Sequence, residues 1–149
     1  MFNKGIEMKK TLSDQNTKLT DFFSKQEHVK LAYLYGSAAK GKAGKLSDVD
    51  VGVLLDESLS KKERFDLQLK LIGDVADILK TDRIDLVVMN DVPHSLNYEI
   101  IKTNCPLFVR DRIGKIDFEH KVLSRYLDRR YYEKRAASEF LKKVAVKGI

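Results

Sequence analysis

The sequence has a single cysteine, Cys105, no tryptophan, and two prolines, Pro93 and Pro106. A lone cysteine excludes an internal disulfide and a cysteine-rich zinc site. Lying just before Pro106, it reads as a small core residue rather than a nucleophile. No apolar run approaches the roughly 18 residues of a membrane span. The N-terminal stretch has no uninterrupted apolar segment of the kind a secretory signal needs. Repeats, low-complexity tracts and Pro/Gly/Ser-rich linkers are also missing. These absences predict a cytoplasmic protein with no membrane association, folded as one domain over residues 1–149.

What is present is a chain of 149 residues with 43% hydrophobic and 34% charged residues, enough to bury a core and stay globular. The net charge of +6 is localised: residues 120–149 hold nine Lys/Arg against three Asp/Glu, which leaves residues 1–119 with nineteen of each. A basic C-terminal segment suggests a polyanion or an acidic protein surface as partner, and a solvated helix face is the plainer reading. Direct nucleic-acid binding is the weaker form of the partner reading.

Hydrophobic periodicity predicts helices and strands in alternation. Residues 10–27 read as a helix and 30–35 as a strand stopped by Gly36. A helical turn is expected at Ser37–Lys40 and a loop over 41–47. Asp48–Leu55 reads as a strand that becomes fully apolar toward its end. Ser60 and Glu63 form a capping-box pattern. Phe65, Leu69, Ile72, Val75, Ala76 and Leu79 read as the inward stripe of the following helix. Arg83–Met89 is a third strand. Pro93 opens a helix to about Asn104 with Leu96, Ile100 and Ile101 inward. Pro106–Arg110 is a fourth strand, and a long helix runs from about residue 116 to 145. The expected fold is α/β (α+β): a small mixed sheet of about four strands packed by helices, with a core over about 28–112. Residues 116–127 of the last helix are expected to be mainly core, and 128–145 mainly a partner or dimer surface.

Three features carry chemistry. Gly36-Ser37 follows a strand, where a glycine lets the backbone turn and approach a phosphate, and Lys40 lies just beyond. Asp48 and Asp50 stand at i and i+2 of a strand, so both carboxylates share a face and repel unless a cation or exposure relieves them. Asp85 is an acid in an otherwise apolar strand, which requires exposure, a partner such as Arg83, or a metal. Gly36 and Ser37, ten residues, Asp48-Val49-Asp50, an apolar strand, a helix, and a strand bearing Asp85 follow in that order.

On those residues the sequence resembles the DNA polymerase beta-like nucleotidyltransferase superfamily, and within it the minimal nucleotidyltransferases (MNT) that act as antitoxins. The resemblance covers about residues 25–135 and implies the polymerase beta-like fold. It implies that Asp48, Asp50 and Asp85 are catalytic and bind two Mg²⁺ ions, with Asp85 also helping to deprotonate the acceptor hydroxyl. It implies that Gly36, Ser37 and Lys40 hold the triphosphate of ATP, the nucleotide donor. Lys40 stands where the family often has Arg, which keeps the charge and loses the bidentate fork. MNT proteins pair with helical HEPN RNase toxins, so the resemblance implies AMP transfer to a tyrosine of such a toxin. The chain lacks an Arg-x4-His-x-Tyr pattern, since His28, His94 and His120 are followed two positions on by Lys30, Leu96 and Val122. Transfer to a small molecule or an RNA end, and an antitoxin or binding module that acts by contact alone, stand as alternatives.

Overall fold

The structure is a computed structural model that describes residues 3–36 and 48–147, with side chains described from residue 14 to 146 within that range. The elements are α1 (Asn3–Ser24), β1 (Val29–Tyr35), β2 (Val49–Leu55), α2 (Lys61–Leu79), β3 (Ile84–Val88), α3 (His94–Lys102), β4 (Pro106–Val109) and α4 (Arg112–Lys147). The strands form one mixed sheet in the order β3-β2-β1-β4, with β2 and β3 parallel and the other pairs antiparallel. Parallel neighbours need a long crossover, and α2 supplies it between β2 and β3. The expected order of elements and the mixed four-strand sheet are both found, and the expected turn and loop at 37–47 lie outside the described residues.

Strand alternation divides the core between the two sheet faces. On one face Val51, Val53, Leu55, Leu86 and Val88 pack with Leu19 and Phe23 of α1 and with Leu71 and Val75 of α2. On the other, Leu31, Tyr33 and Met89 pack with Ile100 of α3 and Phe118 of α4. A register shift in β1 between Val29 and Leu31 lets Val29 and Ala32 join the same face despite their spacing. Gly52 lets α3 settle closely on the sheet. A Cβ there would stand 3.1 Å from Ile100 Cδ1 and 3.3 Å from Met89 Sδ.

The capping box at the start of α2 is formed as its sequence predicts. Glu63 N–H donates to Ser60 Oγ at 3.1 Å, and Ser60 N–H donates to Glu63 Oε1 at 3.3 Å. Lys80 ends the helix in the left-handed conformation. The inward stripe of α2 is the expected one in part, with Val75 buried and Ile72 and Leu79 packed against the core, and differs at its first two members. Leu71 and Val75 are buried, while Phe65 and Leu69 are 56% and 54% exposed. Two apolar rows compete on this helix, and the row through Leu67, Leu71, Val75 and Ile78 is the one that meets the sheet. Leu71→Ala is therefore expected to cost about 2–5 kcal/mol, read as a lower urea midpoint, whereas Leu69→Ala leaves the midpoint nearly unchanged.

α4 spans 36 residues, about 54 Å of helix. Its first part is less buried than expected: Val122 alone is buried, and Ile116, Leu123 and Leu127 are exposed. Tyr126 stacks on Tyr98 of α3 with centroids 3.8 Å apart and rings 5° from parallel. Beyond that stack every described residue is exposed except Val144. A helix docking along one narrow face buries few residues outright, which is why the expectation of a mainly buried first half fails.

Candidate active site

The site lies where β1 ends and β2 begins. In the antiparallel register Tyr35 stands opposite Asp50, and in the parallel register Asp50 stands opposite Asp85. The three residues form one row across three strands, neighbours about 4.8 Å apart. Val49, Val51, Ile84 and Leu86 all belong to the core on the α1/α2 face. Asp50 and Asp85, which alternate with them, therefore emerge on the opposite face. Asp48 precedes β2, two residues before Asp50, and shares that side.

Electrostatics join the carboxylates. Burial pushes the Asp50 carboxyl above the usual range, and the charges of Asp85 and then Asp48 push it further. Tyr35 is pushed up to about 12, first by burial and then by Asp85 and Asp50. Its hydroxyl thus stays protonated at neutral pH, available to donate toward negative oxygen. Tyr33, one pleat away, serves the core instead: it is fully buried and its hydroxyl donates to Glu119 Oε1 at 2.9 Å.

Gly36 closes the row. It follows Tyr35 with φ +70, and a Cβ at this position would run into Asp50 Oδ2. Both the backbone conformation and the close carboxylate demand glycine. The structure thus brings Gly36, Asp48, Asp50 and Asp85 together, and Ser37 and Lys40 lie outside the described residues.

Hard carboxylate oxygens on one face suit a small divalent cation, whose charge offsets their repulsion. Among the described residues no three His, Cys, Asp or Glu side chains stand close enough to enclose an ion in their present rotamers. The donor chemistry and the shared face fit such an ion, and closing the carboxylates around it involves side-chain torsions rather than the strand register.

A profile of the family described as "Polymerase beta, Nucleotidyltransferase" matches residues 17–113, well over half of the chain and all of the sheet. The chain belongs to the polymerase beta nucleotidyltransferase family. Solved structures of similar fold agree with that membership. A chain of a toxin–antitoxin complex with AMP-PNP superposes with a TM-score of 0.62 at 22% identity, covering 85% of this chain and 98% of that one. A chain from the MntA–HepT toxin–antitoxin complex gives 0.59 at 19% identity, covering 89% and 98%. A chain from the tri-AMPylated Shewanella oneidensis HEPN toxin in complex with MNT antitoxin gives 0.58 at 20% identity, covering 87% and 98%. The search of curated proteins finds no match.

From the sequence alone Tyr33 and Tyr35, on either side of Leu34, read as framing a nucleotide site or, more plainly, as sheet packing. The alternation of Tyr35 with Leu34 signals only a strand face, and the register that aligns it with Asp50 and Asp85 is a tertiary fact. Sequence reasoning also passed over Asn97, which is 3% exposed on the inward side of α3. The available signal was a polar residue three positions before Ile100 in an otherwise apolar stripe.

Proposed function

We propose that this nucleotidyltransferase moves AMP from ATP onto a tyrosine of a HEPN-type toxin partner, with Mg²⁺ held by Asp48, Asp50 and Asp85. The single observation that carries the reading is the row of carboxylates on one sheet face beside Gly36. The AMP-PNP and AMPylated-toxin complexes among the structural neighbours support the donor and the acceptor class. Divalent cations bound there supply Lewis-acid polarisation of the phosphate and of the acceptor oxygen.

The chain's own residues would divide the remaining work. Gly36 presents bare backbone to the phosphates, and Ser37 and Lys40 donate to the triphosphate oxygens. Asp85 takes the proton of the acceptor hydroxyl. The acceptor oxygen then bonds to the α-phosphorus as the bond to the bridging oxygen breaks, and pyrophosphate leaves. Positioning and charge neutralisation account for most of the acceleration in such a reaction.

The test is incubation of the purified chain with Mg²⁺, α-labelled ATP and a HEPN-type protein from the same genome, followed by mass measurement of both proteins. AMP-sized mass increments on the HEPN protein alone support the reading. Metal-dependent ATP consumption with the label on RNA or a small molecule would point to a different acceptor. Partner binding without any transfer would favour inhibition by contact alone.

The protruding half of α4 is the proposed docking surface for that partner. Leu127, Tyr131, Phe140 and Leu141 are 52–66% exposed, and helical spacing sets Leu127, Tyr131 and Leu141 along one side. Arg129 and Arg135 are neutralised by Glu133 and Glu139 within the helix, which leaves Arg130, Lys134, Lys142 and Lys143 to meet acid on a partner. Two copies of so basic a segment repel each other, so the occupant is a different, acidic protein rather than a second copy. Removing residues 128–149 is expected to weaken partner binding at least about 100-fold, since several large anchors go at once. ATP binding should be unchanged, and calorimetry on both ligands checks this. Full partner affinity in the truncated chain would refute the surface.

A further inference from the structure

Tyr35 is the one member of the row to which the proposed transfer gives no task. The β1–β2 register sets it opposite Asp50, and the β2–β3 register sets Asp50 opposite Asp85. Leu34 belongs to the core on the α1/α2 face, so Tyr35, its strand neighbour, stands on the carboxylate side. There its ring is half-buried against the cluster of Leu31, Tyr33, Met89 and Ile100. The ring is thus anchored, and the hydroxyl is the end left to do something.

Two observations say where that hydroxyl points and what it lacks. Of the charges acting on it, Asp85 comes first and Asp50, the direct neighbour, second. Asp85 lies two strand spacings away, about 10 Å between Cα atoms. The side chain therefore leans along the row, across Asp50, toward β3. The hydroxyl also has no hydrogen-bond partner among the described residues, whereas that of Tyr33 is held by Glu119 at 2.9 Å. The Asp50 and Asp85 carboxylates likewise accept no hydrogen bond from a described residue.

Asp85 is exposed, and an exposed carboxylate turns freely about its side-chain torsions. At the proposed site it has two tasks, a cation and the proton of the acceptor. Both are met only when its two oxygens are assigned, and fixing a free side chain costs entropy. A donor within reach lowers that cost, as groups behind metal ligands do. A lysine or arginine in this place would pair with the carboxylate and compete with the cation, whereas a neutral hydroxyl orients without neutralising.

We propose that Tyr35 is a positioning residue for Asp85, its hydroxyl donating to that carboxylate and setting the direction in which it faces cation and acceptor. The role rests on the reading that the row holds a divalent cation. A turn of the Asp85 side chain is enough to make the bond, with no change in the strand register.

The experiment measures the apparent Kd for Mg²⁺ from the rise of Tm with Mg²⁺ concentration, in the full-length wild type, Tyr35→Phe and Tyr33→Phe. Phe keeps each packed ring and removes only the oxygen. Mg²⁺ affinity is expected to fall about tenfold or more in Tyr35→Phe, the low end of what losing a group behind a metal ligand costs. Tyr33→Phe should lower Tm at every Mg²⁺ concentration, because its bond to Glu119 is lost, and leave the Mg²⁺ affinity unchanged. Wild-type Mg²⁺ affinity in Tyr35→Phe, with or without a loss of Tm, would return Tyr35 to sheet packing and overturn the proposal. An equal loss of affinity in Tyr33→Phe would also overturn it, since any loosening of β1 would then suffice. A wild-type Tm indifferent to Mg²⁺ would overturn the cation reading and this role with it. That result shows in the wild type alone, so the two failures are distinguishable.

Discussion

Asp50→Asn is expected to abolish AMP transfer while raising the Tm of the metal-free protein. The two effects have one cause. Asp50 stands between Tyr35 and Asp85 in the sheet and within the electrostatic reach of Asp48. At the proposed site it is a metal ligand, and removing a ligand loses several kcal/mol of transition-state charge stabilisation. A loss of about 4 kcal/mol is roughly a thousandfold in rate. In the metal-free fold the same carboxylate is a liability. Its pKa is raised in the folded state, so folding disfavours its charged form. The stability that such a group contributes is present below its unfolded pKa and is lost as pH rises through the folded value. At neutral pH the loss is complete, and the neutral amide of Asn removes it.

Two measurements check the pair of effects. Transfer is followed with labelled ATP, and Tm by calorimetry at pH 7 with and without Mg²⁺. Mg²⁺ should raise the wild-type Tm and do little for Asp50→Asn, because a ligand that binds only the folded state stabilises it in proportion to affinity. As pH is lowered through the carboxylate range, the Tm advantage of the variant should shrink. Wild-type transfer rates in the variant would remove Asp50 from the chemistry. A lower Tm in metal-free buffer would show that the carboxylate has a structural partner rather than repelling neighbours.

Much of this was legible in the sequence because it depends on short-range spacing. The i, i+2 placement of Asp48 and Asp50 fixes a shared strand face whatever the rest of the chain does. The alternation of apolar segments gave the order of elements, since each helix and strand must bury one side. What escaped depends on pairing at a distance. Phe65 and Leu69 occupy a plausible inward row of α2, yet the row through Leu71 and Val75 meets the sheet. Nothing within nineteen residues of helix distinguishes two apolar rows; the position of β3 does. Tyr35 is ambiguous for the same reason. Alternation gave it a face but not its neighbours, and only the β1–β2–β3 register sets it beside two carboxylates. Asn97 escaped because an amide costs less to bury than a charge, so a single one in an apolar stripe argues only weakly for a site.

Gly36→Ala is the second change expected to have a large effect, and it separates geometry from ligand chemistry. The residue has φ +70, where an L side chain is strained, and the new methyl would meet Asp50 Oδ2. The strain costs about 1 kcal/mol or somewhat more. The methyl also forces the Asp50 carboxylate or the end of β1 to move, and a displacement near 1 Å at a reacting centre costs about 100-fold in rate. Ala removes none of the three carboxylates, so Mg²⁺ should still raise the Tm, by less than in wild type. kcat should fall far more than KM rises if the misplaced carboxylate acts mainly in the transition state. Loss of stability with unchanged kcat would mean that Gly36 serves only the turn. Unchanged stability and unchanged kcat would mean that the strand end relaxes freely, and that the close approach of Gly36 to Asp50 does not position the site.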